Sequence, residues 1–135
     1  MATWRDVRRL ALELPGTCET SSRGAFAWSV QKKSIAWQRP LRQSDIAALG
    51  KDAPTGSILC VRTPDLELKE LLLATDPAVF FTTPHFHGYP AILLRLEAIS
   101  SKKLREVLTE AWLARAPKRA VAAFLQERAG TSKKK

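Results

Sequence analysis

The hydrophobic repeat of this chain changes from a helical period to a strand period after residue 16, and this change constrains the fold most strongly. Apolar residues recur every three or four positions across residues 4–14, which predicts an amphipathic helix with Thr3 as its N-cap. From Phe26 onward, apolar residues alternate with small or polar ones, as they do in strands with one buried face. Helical repeats return after residue 100. The sequence therefore predicts a small mixed domain with strands between terminal helices.

Two short alternating segments, residues 26–30 and 35–38, predict a β-hairpin with a basic tip at residues 31–33. The alternation places Trp28 and Trp37 on one face of the hairpin, where they are expected to pack as a cross-strand pair. Exposed lysines at such a tip are suited to phosphate contact, although hairpin tips are also often charged for solubility alone.

A chain of 135 residues is long enough to bury a core without metal or disulfide bonds, and it predicts one domain over residues 1–129. The last residues, 130–135, are expected to form a disordered basic tail. Residues 17–23 are polar and carry no strand pattern. The other predicted elements are a helix over 45–49, a central strand over 57–61, a helix between Pro64 and Asp76 that buries Leu66, Leu68, Leu71 and Leu72, strands over 79–82 and 91–99, a helix over 101–115 and a helix from Pro117.

The net charge of +9 is unevenly distributed along the chain. Residues 1–62 hold ten Lys and Arg against five acidic residues, and residues 100–135 hold ten against three, whereas residues 63–99 are acidic. Basic domains attract polyanions through the release of counterions, so DNA is the predicted partner, with solubility as the simpler alternative. The residues predicted to contact phosphate are Arg5, Arg8, Arg9, Lys32, Lys33, Arg39, Lys118 and Arg119.

Residues 80–90 combine aromatic residues, prolines and both histidines in one short stretch. His85 and His87 supply two imidazoles, which are fewer ligands than a zinc site needs, and no metal or cofactor is predicted. Cys60 lies in an apolar strand, where a thiol is unreactive, and no nucleophile elbow or phosphate-binding glycine loop is present. The sequence therefore predicts a protein without catalytic residues.

The alternative to DNA binding is a ligand-binding or protein-interaction module. Its apolar pocket would lie near residues 80–90. Alternatively, this stretch forms no site and is only a tightly packed corner of the fold, because its prolines and glycine fix the backbone shape. The residues predicted to line this pocket are Trp28, Trp37, His85, Phe86 and Tyr89.

Several short motifs occur along the chain: Leu14-Pro15-Gly16, the hairpin with Phe26 and Trp28, the run from Asp76 to Phe81, the core Thr83-Pro84-His85-Phe86-His87-Gly88-Tyr89-Pro90, Ala111-Trp112 and Ala116-Pro117-Lys118. Together these motifs resemble the MmcQ/YjbR family of small bacterial proteins. The resemblance implies an α+β fold with a mainly antiparallel sheet, helices packed on it and hairpins projecting as wings. It also implies DNA binding through this double-wing motif, and it carries no catalytic residues.

The expected location is the cytoplasm. The first residues are polar and charged, unlike a signal peptide, and no apolar run approaches the ~18 residues of a membrane span. No membrane partner is predicted, and a monomer is favoured.

Overall fold

Six strands and five helices make up the fold in the computed structural model, which describes residues 2–22, 24–39, 43–50 and 57–133. The helices are α1 (Trp4–Glu13), α2 (Gln43–Leu49), α3 (Leu66–Thr75), α4 (Ser101–Arg115) and α5 (Lys118–Lys133). The strands are β1 (Thr17–Ser22), β2 (Ala25–Val30), β3 (Lys33–Gln38), β4 (Ile58–Arg62), β5 (Phe80–Phe81) and β6 (Ala91–Arg95). A 3-10 turn covers Pro84–Phe86.

All six strands belong to one antiparallel sheet with the order β1-β2-β3-β4-β6-β5. Helices α1 and α4 come from the two ends of the chain and contact each other, and α4 also lies against β3 and β4. Thr3 forms a capping box with Asp6 at the start of α1, and the Ser100 hydroxyl accepts a hydrogen bond from the Lys103 amide at the start of α4. The predicted α+β domain is confirmed.

Strand β1 was not predicted from the sequence. It pairs with β2 along its whole length, from Thr17 opposite Val30 to Ser22 opposite Ala25. Its sequence is entirely polar apart from Cys18 because it is an edge strand, and several of its side chains face solvent. A strand without an apolar face shows no alternation to detect.

The predicted pairing of Trp28 with Trp37 is wrong, because a β-bulge separates them. Trp28 lies opposite Ala36 and Trp37 lies opposite Ala27, so the two indoles project from opposite faces of the sheet. The register shifts between Trp28 and Ser29, which leaves Ile35 as the extra residue of β3. Ile35 and Ala36 are consequently both buried on the side of Trp28.

The two faces of the sheet carry cores of different size. The larger core lies under α1 and α4, and it contains Trp28, Leu59 and Trp112. The smaller core, on the opposite face, is formed by Ile58, Cys60, Phe81, Phe86, Ala91 and Leu93, with Trp37 and Leu49 packed against it.

Helix α3 buries only part of the side that was predicted, on which Leu68 packs against the larger core. Leu72 is buried as expected, but Leu66 and Leu71 are 44% and 56% exposed. Lys69, one turn before Leu72, is only 2% exposed. The prediction failed because leucines surround this helix, so the sequence does not define a single apolar face.

Helix α5 extends to Lys133, beyond residue 129, at which we expected the ordered domain to end. Residues 134–135 of the expected tail lie outside the described residues, as do residues 40–42 and 51–56.

Candidate nucleic-acid interface

A cavity of about 380 Å³ lies at the end of the sheet where β3 begins and β4 ends. We call it the basic pocket, because four of its seven lining residues are cationic and none is acidic. Four separate segments contribute: the β2–β3 hairpin, the end of β4, the segment before β6 and the end of α4. Its lining residues are Lys32, Lys33, Ser34, Trp37, Arg62, Tyr89 and Arg115.

The hairpin turn brings two of the cations to the pocket. Gln31 and Lys32 are its two central residues, and both have positive φ, at 52° and 67°. Positive φ at both central positions is the geometry of a type I′ turn, which matches the twist of the strands but favours Asn and Gly. Lys32 thus holds a backbone conformation that costs a side-chain-bearing residue about 1 kcal/mol. Lys33 follows as the first residue of β3.

Two arginines from other segments also line the pocket. Arg62 ends β4, and its guanidinium carbon lies 4.8 Å from the centre of the Tyr89 ring, which is a cation–π contact. Arg115 lies in the last turn of α4, where a cation is favoured by the helix dipole. The Nε of each arginine is buried and makes no hydrogen bond with the described part of the protein.

The charges of the basic pocket are not neutralised from within. Among the described residues, none of Lys32, Lys33, Arg62 and Arg115 forms an ion pair with a carboxylate. Four like charges around one concavity produce a positive potential, which low-dielectric walls strengthen. The pocket is therefore suited to an anion.

A buried lysine fixes the position of Tyr89. The Lys69 Nζ donates hydrogen bonds to the backbone oxygens of Phe86, at 2.6 Å, and Tyr89, at 2.8 Å. Burial lowers the pKa of the Lys69 ammonium. Gly88 supplies the positive φ (74°) that the turn between these two carbonyls requires. Lys69 thus holds the backbone of this segment, while the Tyr89 side chain stays 44% exposed at the pocket.

The structure brings together four residues that were assigned to two different predicted sites. Lys32 and Lys33 were predicted to contact DNA, and Trp37 and Tyr89 were predicted to line an apolar pocket, yet all four line the basic pocket. The pocket beside Tyr89 is thus mainly cationic, because charged residues from other segments complete it.

Three of the predicted phosphate contacts are occupied by the protein itself. Arg8 donates two hydrogen bonds to the Glu19 carboxylate, at 2.8 and 2.6 Å, and this interaction lowers the pKa of Glu19 and raises that of Arg8. Arg9 lies 3.6 Å from an oxygen of Asp6 and 3.8 Å from one of Glu13. Arg39 is buried with its guanidinium over the Phe86 ring. Arg5, Lys118 and Arg119 are exposed, and the side chains of Arg8 and Arg9 also stay about half exposed beside their acidic partners.

Two predicted pocket residues belong to the core. Trp28 is 1% exposed and donates its Nε1–H to Glu19, at 3.0 Å. Phe86 is buried in the smaller core and contacts Tyr89, with 6.2 Å between ring centres. His85 lies in the 3-10 turn, and its side chain is outside the described part of the structure.

A second cavity, of about 450 Å³, lies between α1, α4 and α5. Glu13, Glu106 and Glu110 line it beside Arg105, which donates a hydrogen bond to Glu13. Its acidic lining makes it unsuited to the polyanion that the net charge favours.

Other chemistry receives little support from the described residues. They contain no cluster of three potential metal ligands, and none of their helices is long and apolar enough to cross a bilayer. Burial raises the pKa of the Cys60 thiol to about 12, so this cysteine stays protonated at neutral pH.

Together, the fold and the basic pocket define a class of small basic α+β proteins with one antiparallel sheet and a cationic cavity at its end. The YjbR family profile matches residues 12–114, and the chain belongs to this family. It is 50% identical over 128 residues to the uncharacterized proteins Rv2570 of Mycobacterium tuberculosis and Mb2600 of Mycobacterium bovis, which covers 93% of this chain and 97% of each relative. The crystal structure of Deinococcus radiodurans protein DR2400, with a DUF419 domain, shares the fold with a TM-score of 0.61. That match has 22% identity and covers 84% of this chain and 78% of DR2400.

Proposed function

We propose that this protein is a non-enzymatic, monomeric DNA-binding protein of the cytoplasm that contacts phosphates with little dependence on base sequence. The observation that carries the proposal is the convergence of Lys32, Lys33, Arg62 and Arg115 on one cavity, without a carboxylate partner among the described residues. Such cations lose little when they exchange water for phosphate oxygens, and each contact releases counterions from the DNA. The net charge of +9 adds attraction at longer range.

In this proposal the β2–β3 hairpin acts as a wing. Its turn carries Lys32 and Lys33, whose side chains are exposed, to the rim of the basic pocket. Lys118 and Arg119 follow Arg115 closely in the chain and are exposed as well, so they extend the cationic surface. Phosphate contacts from lysine position a protein on DNA without reading its sequence, so we expect binding to depend little on the base sequence.

The test is a fluorescence-anisotropy titration of a labelled random-sequence duplex at about 50 and 200 mM salt. We expect micromolar dissociation constants at the lower salt and weakening by orders of magnitude at the higher salt. The variant Lys32→Ser/Lys33→Ser is expected to weaken binding at least tenfold and to reduce the slope of log K against log salt by about 2, because two phosphate contacts are lost.

The matched control is Lys102→Ser/Lys103→Ser, which removes the same charge at the other end of α4. A helix of this length places these lysines roughly 20 Å from Arg115. If both double variants weaken binding equally, net charge is responsible and the basic pocket is not the site. If the unmodified protein does not bind the duplex at the lower salt, DNA binding is excluded.

The second candidate is a module for a small anionic ligand. The observation that favours it is the concave shape of the basic pocket, whose volume of about 380 Å³ is typical of small-molecule sites. A nucleoside phosphate or inorganic phosphate that raises the melting temperature at high salt would support this function, since bound ligand stabilises the folded state while salt suppresses DNA binding. Thermal shifts that disappear in the Lys32→Ser/Lys33→Ser variant would assign the ligand to this pocket.

A further inference from the structure

The basic pocket contains two aromatic rings, and binding to the phosphates of a duplex makes no use of them. Trp37 and Tyr89 line the same cavity as Lys32, Lys33, Arg62 and Arg115. We propose that the pocket receives one unpaired nucleotide of a single-stranded nucleic acid, with its base stacked on an aromatic ring and its phosphates on the surrounding cations. This inference rests on the proposed nucleic-acid binding and specifies the form of the ligand.

The shape of the pocket favours a single strand. A duplex presents its phosphates on a broad convex surface, and the faces of its bases are covered by their neighbours in the stack. A cavity of about 380 Å³ has room for one nucleotide and none for a duplex. Cationic grooves with aromatic rings, on which successive bases stack, are the usual means of binding single strands without sequence preference.

The rings are held in place before any ligand binds. The guanidinium of Arg62 covers one side of Tyr89, at 4.8 Å from the ring centre. Lys69 donates a hydrogen bond of 2.8 Å to the backbone carbonyl of Tyr89. Trp37 packs against the smaller core and keeps part of its surface in the pocket. A base that stacks on such fixed surfaces loses less free energy to the ordering of side chains.

Charge density makes the preference for a single strand diagnostic. A duplex carries more charge per unit length than a single strand, so a site that contacts only phosphates binds the duplex at least as tightly. A site that also stacks an unpaired base reverses this order. The relative affinity for the two forms therefore separates phosphate contact from base insertion.

The experiment compares a labelled single strand of about 12 thymidines with a duplex of the same length, at one low salt concentration. The variants are Tyr89→Leu and Trp37→Leu, and the controls Tyr89→Phe and Trp37→Phe keep an aromatic ring. If Trp37→Leu fails to fold, Tyr89→Leu still provides the test, because Tyr89 is half exposed and its substitution leaves the core intact. Each leucine variant is expected to weaken single-strand binding about 5- to 100-fold. Trp37→Leu is expected to weaken duplex binding less than twofold. Tyr89→Leu also removes the ring that contacts Arg62, so it is expected to weaken duplex binding too, but by a smaller factor than single-strand binding. The phenylalanine variants are expected to retain most of the single-strand affinity.

Each result decides the inference. Tighter binding of the single strand, lost in the leucine variants and kept in the phenylalanine variants, supports it. Equal or tighter binding of the duplex, or single-strand binding that both leucine variants leave unchanged, overturns it. Thymidine monophosphate that binds as tightly as the strand also overturns it, in favour of a free nucleotide. In each of these cases, duplex binding that still depends on Lys32 and Lys33 leaves the proposed function intact, whereas failure to bind any nucleic acid removes both.

Discussion

Replacement of Lys69 by methionine tests whether this buried residue holds the Tyr89 segment in place. Methionine is close to lysine in length and volume, so the substitution removes the ammonium group without opening a large cavity. It removes one of the two donors from each of two backbone oxygens, those of Phe86 and Tyr89, which the ammonium reaches at 2.6 and 2.8 Å. Each oxygen keeps a backbone donor, the Tyr89 amide at 3.0 Å and the Ala91 amide at 2.8 Å. The Lys69 side chain is 2% exposed, so little water reaches these oxygens to replace the lost ammonium.

The magnitude follows from two opposing contributions. Each hydrogen bond from a charged donor contributes about 1.5–3 kcal/mol, so the two lost bonds contribute about 3–6 kcal/mol. Removal of a buried charge recovers part of its desolvation penalty, which reduces the loss. We expect the free energy of unfolding to fall by about 2–4 kcal/mol, and the melting temperature of a chain of this size to fall by about 6–16 °C.

The measurement is urea unfolding followed by tryptophan fluorescence and circular dichroism, with Lys102→Met as the control at an exposed position. The control is expected to change stability by less than about 0.5 kcal/mol. Burial lowers the pKa of Lys69, so the unfolded chain binds the proton more tightly. The free energy of unfolding of the wild type should therefore rise with pH just below 10.5, the ordinary pKa of lysine. The same rise should be smaller in Lys69→Met, which lacks this ammonium. A variant as stable as the control would refute the anchoring role of Lys69.

Three further outcomes are expected. Hydrogen bonding by Arg8 lowers the pKa of Glu19, so its contribution to stability is complete above about pH 4.5 and is lost as the pH falls further; acid unfolding of Glu19→Gln should show less of this dependence. A thiol reagent at pH 8 should modify the exposed Cys18 and not Cys60, whose pKa is about 12. Mass spectrometry should show one modified thiol per folded chain and two after denaturation. Lys32→Gly should relieve the positive φ and raise the free energy of unfolding by about 0.5–1 kcal/mol in urea titrations, while it weakens duplex binding several-fold in anisotropy titrations; a loss of stability would contradict the argument from turn geometry.

The parts of the fold that the sequence predicts well are those in which local signals agree. The helical repeat of α1 coincides with the cap at Thr3, and that of α4 with the cap at Ser100, so the starts of both helices are correct. Gly50 has the positive φ expected of a residue that ends a helix. The apolar run that includes Cys60 is a central strand, buried on both faces, as its composition indicates.

The errors occur where local signals are missing or ambiguous. Strand β1 is held by its pairing with β2, and its polar sequence gives no sign of this. A single bulge at Ile35 moves Trp37 to the opposite face, and alternation alone cannot place such a bulge. In α3 the leucines surround the helix, so the buried side is decided by the two backbone oxygens that Lys69 reaches.

The basic pocket could not be assembled from the sequence, because its cations come from segments that are distant in the chain. Lys32 and Lys33 were recognised from the hairpin, but Arg62 and Arg115 were not. Arg62 is the last residue of an otherwise apolar strand, and Arg115 lies in the last turn of a helix where a basic residue is common. The antiparallel sheet and the packing of α4 against β3 and β4 together bring these residues to one end.

The pocket is also the place where several local costs of the fold meet. Lys32 holds a backbone conformation that glycine would adopt more easily. Among the described residues, five buried polar side-chain atoms lack a hydrogen bond. Three of them are threonine hydroxyls, and the other two are the Nε atoms of the charged side chains Arg62 and Arg115. Each of these features lowers stability, and all three line one cavity. Folded proteins retain such costs mainly where function requires them, because selection otherwise favours the cheaper residue. An anion in the pocket would offset the charge, so the same residues that weaken the free protein are those expected to gain most from a bound phosphate.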